Sequence, residues 1–158
     1  MLRQVEDVGV GGDESVERLR SGQGNGGNVL TGIHHLALTV TDVERSAAWY
    51  SELLGMVTLT GDDTDDVRYR VLAHPDSGMV IGLRQYPVTG SGDVFDEMRT
   101  GMDHVAIGVE SADELTAWAG RLDERGISYT PATETPIGAV IVFRDPDNIQ
   151  LEFWLPAG

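Results

Sequence analysis

His35-Leu36-Ala37-Leu38-Thr39-Val40 and His104-Val105-Ala106-Ile107-Gly108-Val109 read as two copies of one strand. The offset of 69 residues also places Ala48 on Ala117, Trp49 on Trp118 and Leu53 on Leu122, so a whole unit is duplicated. Each strand alternates with period two. Leu36, Leu38 and Val40 share one face, and His35, Ala37 and Thr39 the other. Val105, Ile107 and Val109 likewise oppose His104, Ala106 and Gly108. The apolar faces should pack on helices, while small residues beside each histidine leave the opposite face roomy.

A helix follows each strand. Thr41-Asp-Val-Glu44 and Ser111-Ala-Asp-Glu114 both carry the hydroxyl and carboxylate of a capping box. Val43, Ala47, Tyr50 and Leu54 recur at helical spacing, as do Leu115, Trp118 and Leu122, and Gly55 and Gly126 suit the left-handed stop. Trp49 and Trp118 read as packing residues. Three strand-like runs then follow in each copy. They lie near Val57 to Thr60, Val67 to Leu72 and Met79 to Arg84, and near Ser128 to Pro131, Ala139 to Phe143 and Ile149 to Trp154. Turn residues at 74–78 and 145–148 join the last two runs. The order β-α-β-β-β, twice, defines an α+β chain with module one at 32–86 and module two at 102–156, together a single domain over 31–156. Glycines 90, 92 and 101 mark residues 86–102 as a connector, whose Phe95 and Met98 could cover a cleft. Residues 1–30, with seven glycines and no aromatic residue, read as a flexible tail.

The chain has 158 residues, with 26 acids, 11 bases and a formal charge of -15. Such a balance repels phosphates and argues against nucleic acid and anionic membrane as partners. Cysteine is absent, which excludes disulfides, thiolate nucleophiles and cysteine metal sites. All the bases are arginine, so lysine Schiff-base chemistry is excluded too. No apolar run approaches the roughly 20 residues of a membrane span, and a secretory leader pattern is missing at the start, so a cytoplasmic protein is expected.

His34-His35-Leu36-Ala37-Leu38-Thr39-Val40-Thr41-Asp42, Trp49-Tyr50 with Leu54-Gly55, and Arg144-Asp145-Pro146-Asp147-Asn148-Ile149-Gln150-Leu151-Glu152 resemble the vicinal oxygen chelate superfamily. That group includes glyoxalase I, extradiol dioxygenases, fosfomycin-resistance proteins and bleomycin-binding proteins. The resemblance spans roughly residues 32–156 and implies two βαβββ modules curling mixed sheets around a cleft. It also implies metal ligands on the first and last strands of the modules: here His35, His104 and Glu152. Parity agrees with this set. If Ile149, Leu151 and Phe153 pack on the helix, then Gln150, Glu152 and Trp154 face the cleft. Two neutral imidazoles and one carboxylate suit a divalent metal such as Fe, Mn, Zn or Ni and leave positions open for substrate. The fourth family position falls on Gly82, which offers no donor; this points away from glyoxalase I chemistry and toward a three-ligand enzyme.

The resemblance thus implies a metal-dependent enzyme, dioxygenase-like or lyase-like, acting on a small oxygenated molecule, in a homodimer or within one chain. Arg84, Gln150 and Trp154 are its candidate substrate-binding residues; no catalytic acid or base stands out. Val67, Tyr69 and Val71 are expected on the core face of their strand, leaving Arg68 and Arg70 on the side of Arg84 as solvated charges. His34 is expected toward the core and His74 exposed. The alternative is a metal-free, drug-sequestering protein of the bleomycin-binding type, whose acidic charge would suit cationic ligands. A fosfomycin-type transferase ranks third, because it needs a cationic lining.

Overall fold

The alternation seen in the sequence closes into two sheets of equal design. In the computed structural model, which describes residues 31–90 and 92–158, strand β1 (Leu36–Thr39) is followed by α1 (Val43–Leu54), β2 (Val57–Asp63), β3 (Arg68–Ala73) and β4 (Val80–Gln85). The second copy is β5 (Val105–Gly108), α2 (Ala112–Glu124), β6 (Thr133–Thr135), β7 (Gly138–Arg144) and β8 (Gln150–Pro156). The sheets run β1-β4-β3-β2 and β5-β8-β7-β6. In each, the first strand lies parallel to the last, and the other pairs are antiparallel. The parallel pair needs a crossover, and the helix supplies it. The expected tail at 1–30 lies outside the described residues. Residues 31–34 carry no helix or strand, and His35–Gly158 form a compact unit.

The apolar faces meet as one core. Leu38, Val40, Ile81 and Leu83 of module one join Val43, Ala47, Tyr50 and Leu54 of α1. Module two adds Leu115, Leu122, Ile141, Phe143, Leu151 and Phe153 to the same cluster. Trp118 stacks on Phe153 at 4.4 Å between centroids, and Phe153 on Phe143 at 4.7 Å. Trp49 meets Tyr50 edge-on at 4.9 Å, so both helix tryptophans do pack. Gly55 ends α1 at φ 72°, and Gly126 follows α2 at φ 65°.

A polar latch binds the modules. Asp147, in the turn before β8, accepts from Thr41 N at 3.1 Å and Arg45 Nη2 at 2.6 Å. Asp145 accepts from Tyr50 Oη at 3.0 Å and from the backbone amides of Asp147 and Ile149, each at 2.8 Å. Both carboxylates are buried. Burial pushes the Asp145 carboxyl upward against the pull of its hydrogen bonds. Burial and the neighbouring Asp145 raise the Tyr50 phenol well above its ordinary value.

Several expectations are corrected. The cap of α1 is Asp42, whose side chain accepts from Glu44 N and Arg45 N; Thr41 is drawn instead to Asp147. In β3 the parity is reversed. Tyr69 pairs with Arg84 and Val71 with Gly82, whereas Arg68, Arg70 and the fully buried Leu72 share the helix-facing side. Arg70 reaches Glu44 on α1 and Asp63 on β2, so it is a paired charge on the opposite face from Arg84. The strand expected near Ser128 to Pro131 falls at Thr133–Thr135, with Tyr129 making an isolated bridge to Phe143. His34 is exposed, and His74 is half-buried, with its Nδ1 accepting from Ser77 N. Phe95 packs on the core, but Met98 is 89% exposed and covers nothing here. No helix among the described residues is long and apolar enough to cross a membrane.

Candidate metal centre

In β8, Leu151 and Phe153 enter the core, so Gln150, Glu152 and Trp154 turn to the opposite face. Glu152 sits between Ala106 on β5 and Val142 on β7. Neighbours in register share a face, and Ala106 beside the carboxylate carries only a methyl group. His104, just before β5, comes near: its Nε2 lies 3.6 Å from Glu152 Oε2. Its Nδ1 is 2.6 Å from Asp103 Oδ1. The Glu152 side chain is only 10% exposed, against 41% for His104. A carboxylate this buried needs a compensating charge. Among the described residues its ion-pair neighbour is His104, and 3.6 Å is too long for a hydrogen bond.

Arg144 closes one end of this face, opposite Gln150. Its guanidinium grips Glu97 of the connector with two bonds of 2.9 and 2.6 Å, and donates to Gln150 Oε1 at 2.8 Å. Arg144 holds the Glu97 carboxyl down at about 2, and is itself raised by it. With its oxygen taken, Gln150 keeps its amide hydrogens to offer a ligand. Sequence reading missed Asp103, Glu97 and Arg144. The adjacency of Asp103 to His104 was a usable signal; the Glu97–Arg144 contact was not, since nothing local pairs them.

Module one presents the matching face. Ala37 lies opposite Gly82, a pair almost without side chains, and Thr39 lies opposite Arg84. A Cβ on Gly82 would meet Ala37 Cβ at 3.7 Å, an ordinary contact, so steric crowding does not dictate glycine here. Arg84 is exposed, with its guanidinium carbon 5.6 Å from the centre of the Tyr69 ring. His35 is exposed at the start of β1. Among the described residues, no three histidine, aspartate or glutamate side chains of one chain gather to hold a metal ion. The structure therefore brings His104 and Glu152 together, with Gln150 and Trp154 on the same face, and leaves His35 and Arg84 on the face of the other module. An imidazole nitrogen and a buried carboxylate within one ion's reach fit a divalent metal in donor type, but need a further donor.

Solved structures share this architecture. A glyoxylase/bleomycin resistance protein/dioxygenase domain from Frankia sp. EAN1pec is 38% identical, with a TM-score of 0.75, and covers 82% of this chain and 100% of its own. The fosfomycin resistance protein FosX from Listeria monocytogenes has a TM-score of 0.64 at 18% identity, over 82% of this chain and 94% of its own. At that identity the likeness shows the fold alone. Another structure of that FosX, a mutant, holds Mn(II) and 1S,2S-dihydroxypropylphosphonic acid; it is 18% identical with a TM-score of 0.61, over 80% and 90% of the two chains. The uncharacterized protein YwkD of Bacillus subtilis (strain 168) is 28% identical over 129 residues, 80% of this chain and 98% of its own. Residues 32–153 match the Glyoxalase/Bleomycin resistance protein/Dioxygenase superfamily, spanning both modules and both faces just described, and the chain belongs to that family.

Proposed function

We propose that this protein is a divalent-metal-dependent enzyme acting on a small oxygenated molecule, with His104 and Glu152 of one chain and His35 of a second copy holding the ion. The observation that carries this reading is the pair His104 Nε2 and Glu152 Oε2, 3.6 Å apart, around a carboxylate with little solvent. Two further observations support a second copy. The proposed donors are divided between the two faces, His104 and Glu152 on one and His35 on the other. The edge strand β2 also exposes apolar side chains at Val57 and Leu59. The FosX structure with Mn(II) lends the metal its plausibility within this fold.

When bound, the ion supplies Lewis-acid stabilisation of charge on a substrate oxygen. The remaining roles fall to the chain. Glu152 contributes the charge that offsets the ion. Trp154 offers an apolar wall and Gln150 its amide hydrogens, while Arg84 can meet an anionic group arriving from the other module. The Ala37–Gly82 pair makes room for the ligand. Elemental analysis of protein purified without chelator tests this reading. The expected result is near-stoichiometric metal in the wild type, lost in His104→Ala and Glu152→Gln. Oxygen-consumption assays with diols and catechols then separate dioxygenase from lyase chemistry. A wild type that binds no metal yet sequesters an apolar cation overturns the proposal in favour of a drug-binding protein.

A further inference from the structure

We infer that Asp103 is the positioning residue of this centre, accepting a hydrogen bond from Nδ1 of His104 so that Nε2 faces Glu152. The inference rests on the reading of His104 and Glu152 as metal ligands. Asp103 Oδ1 lies 2.6 Å from His104 Nδ1, the length of a strong charge-assisted bond. A carboxylate accepting at Nδ1 leaves Nε2 as the nitrogen turned to a cation. Nε2 lies 3.6 Å from Glu152 Oε2, beyond hydrogen-bond length and within reach of one shared ion.

The repeat supplies an independent argument. The position equivalent to Asp103 in module one is His34, so the βαβββ fold does not itself require a carboxylate before the strand histidine. Nor does stability require one. The Asp103 side chain is 67% exposed and that of His104 41%, and an exposed pair of this kind adds little to folding. What the contact fixes is which nitrogen carries the proton and where the ring points, the service that outer carboxylates render to ligating histidines.

Mn(II) titration followed by electron paramagnetic resonance tests this, on the full chain and its variants Asp103→Ala, Asp103→Asn, His104→Ala and Glu152→Gln. Asp103→Ala should weaken Mn(II) binding by about 10- to 100-fold. Asp103→Asn, whose amide oxygen still accepts from Nδ1, should recover part of the loss. Without metal the thermal midpoint should not move in either, which a merely structural role would not allow alongside lost affinity. If Asp103→Ala binds Mn(II) like the wild type while His104→Ala and Glu152→Gln do not, the positioning role is overturned and the metal centre stands. If all variants bind alike, or the wild type binds none, the centre itself is refuted and the inference with it.

Discussion

Tyr50 of α1 donates its hydroxyl hydrogen to Asp145 across 3.0 Å, tying the first module's helix to the turn that launches β8 of the second module. The bond is buried at both ends, so it sets where β8, and with it Glu152, lies relative to module one. Tyr50→Phe keeps the ring in the core and deletes one donor. The Asp145 oxygen then loses its phenol partner away from water, at a cost of about 1–3 kcal/mol. Urea denaturation should show the midpoint falling at unchanged slope.

Asp145 also makes stability depend on pH. Its carboxyl is raised by burial in the folded chain, so the folded state holds this proton more tightly than the unfolded chain does. Its contribution is fully present below the ordinary carboxyl range, near about 3.9, and is lost as pH rises through the raised folded value. Asp145→Asn carries no such charge and can still accept from the amides of Asp147 and Ile149. Chemical denaturation at a series of pH values should show this decline with rising pH in the wild type and a flatter profile in the variant. An identical decline in both would assign the pH dependence elsewhere.

Two glycines should answer alanine oppositely. Gly82 is buried in β4, but a Cβ there makes only ordinary contacts, so Gly82→Ala should fold with a stability within about 1 kcal/mol of wild type. Gly138 opens β7 at φ 148°, and a Cβ there would stand 2.1 Å from the Leu155 carbonyl oxygen. Gly138→Ala must therefore shift backbone between β7 and β8, and calorimetry should show a loss of several degrees or outright failure to fold.

The duplicated fold was legible because its signals are local: period-two strands, helical spacing and left-handed glycine stops, each occurring twice. The face of Glu152 was legible for the same reason, since Leu151 and Phe153 are unambiguous core neighbours. The face of β3 was not. Apolar residues occupy both parities there, Tyr69 and Val71 on one and Leu72 on the other. Arg70 lies on the Leu72 side because Glu44 and Asp63 satisfy its charge at the sheet edge. Thr41 looked like a cap until Asp147, distant in sequence, claimed it. The grip of Arg144 on Glu97 and Gln150 is likewise set by the return path of the connector, which no spacing rule encodes.

The central claim is that one ion is held by residues from two copies, and a mixing experiment tests it directly. His35→Ala and Glu152→Gln each remove one donor, so each homodimer should lose tight Mn(II) binding. Co-refolded together, half of the sites in a mixed dimer combine both defects and the other half recover an intact His35, His104 and Glu152. The account predicts one tightly bound Mn(II) per mixed dimer, with the affinity of the wild type. Mixed dimers that form but bind no more metal than either parent would contradict it.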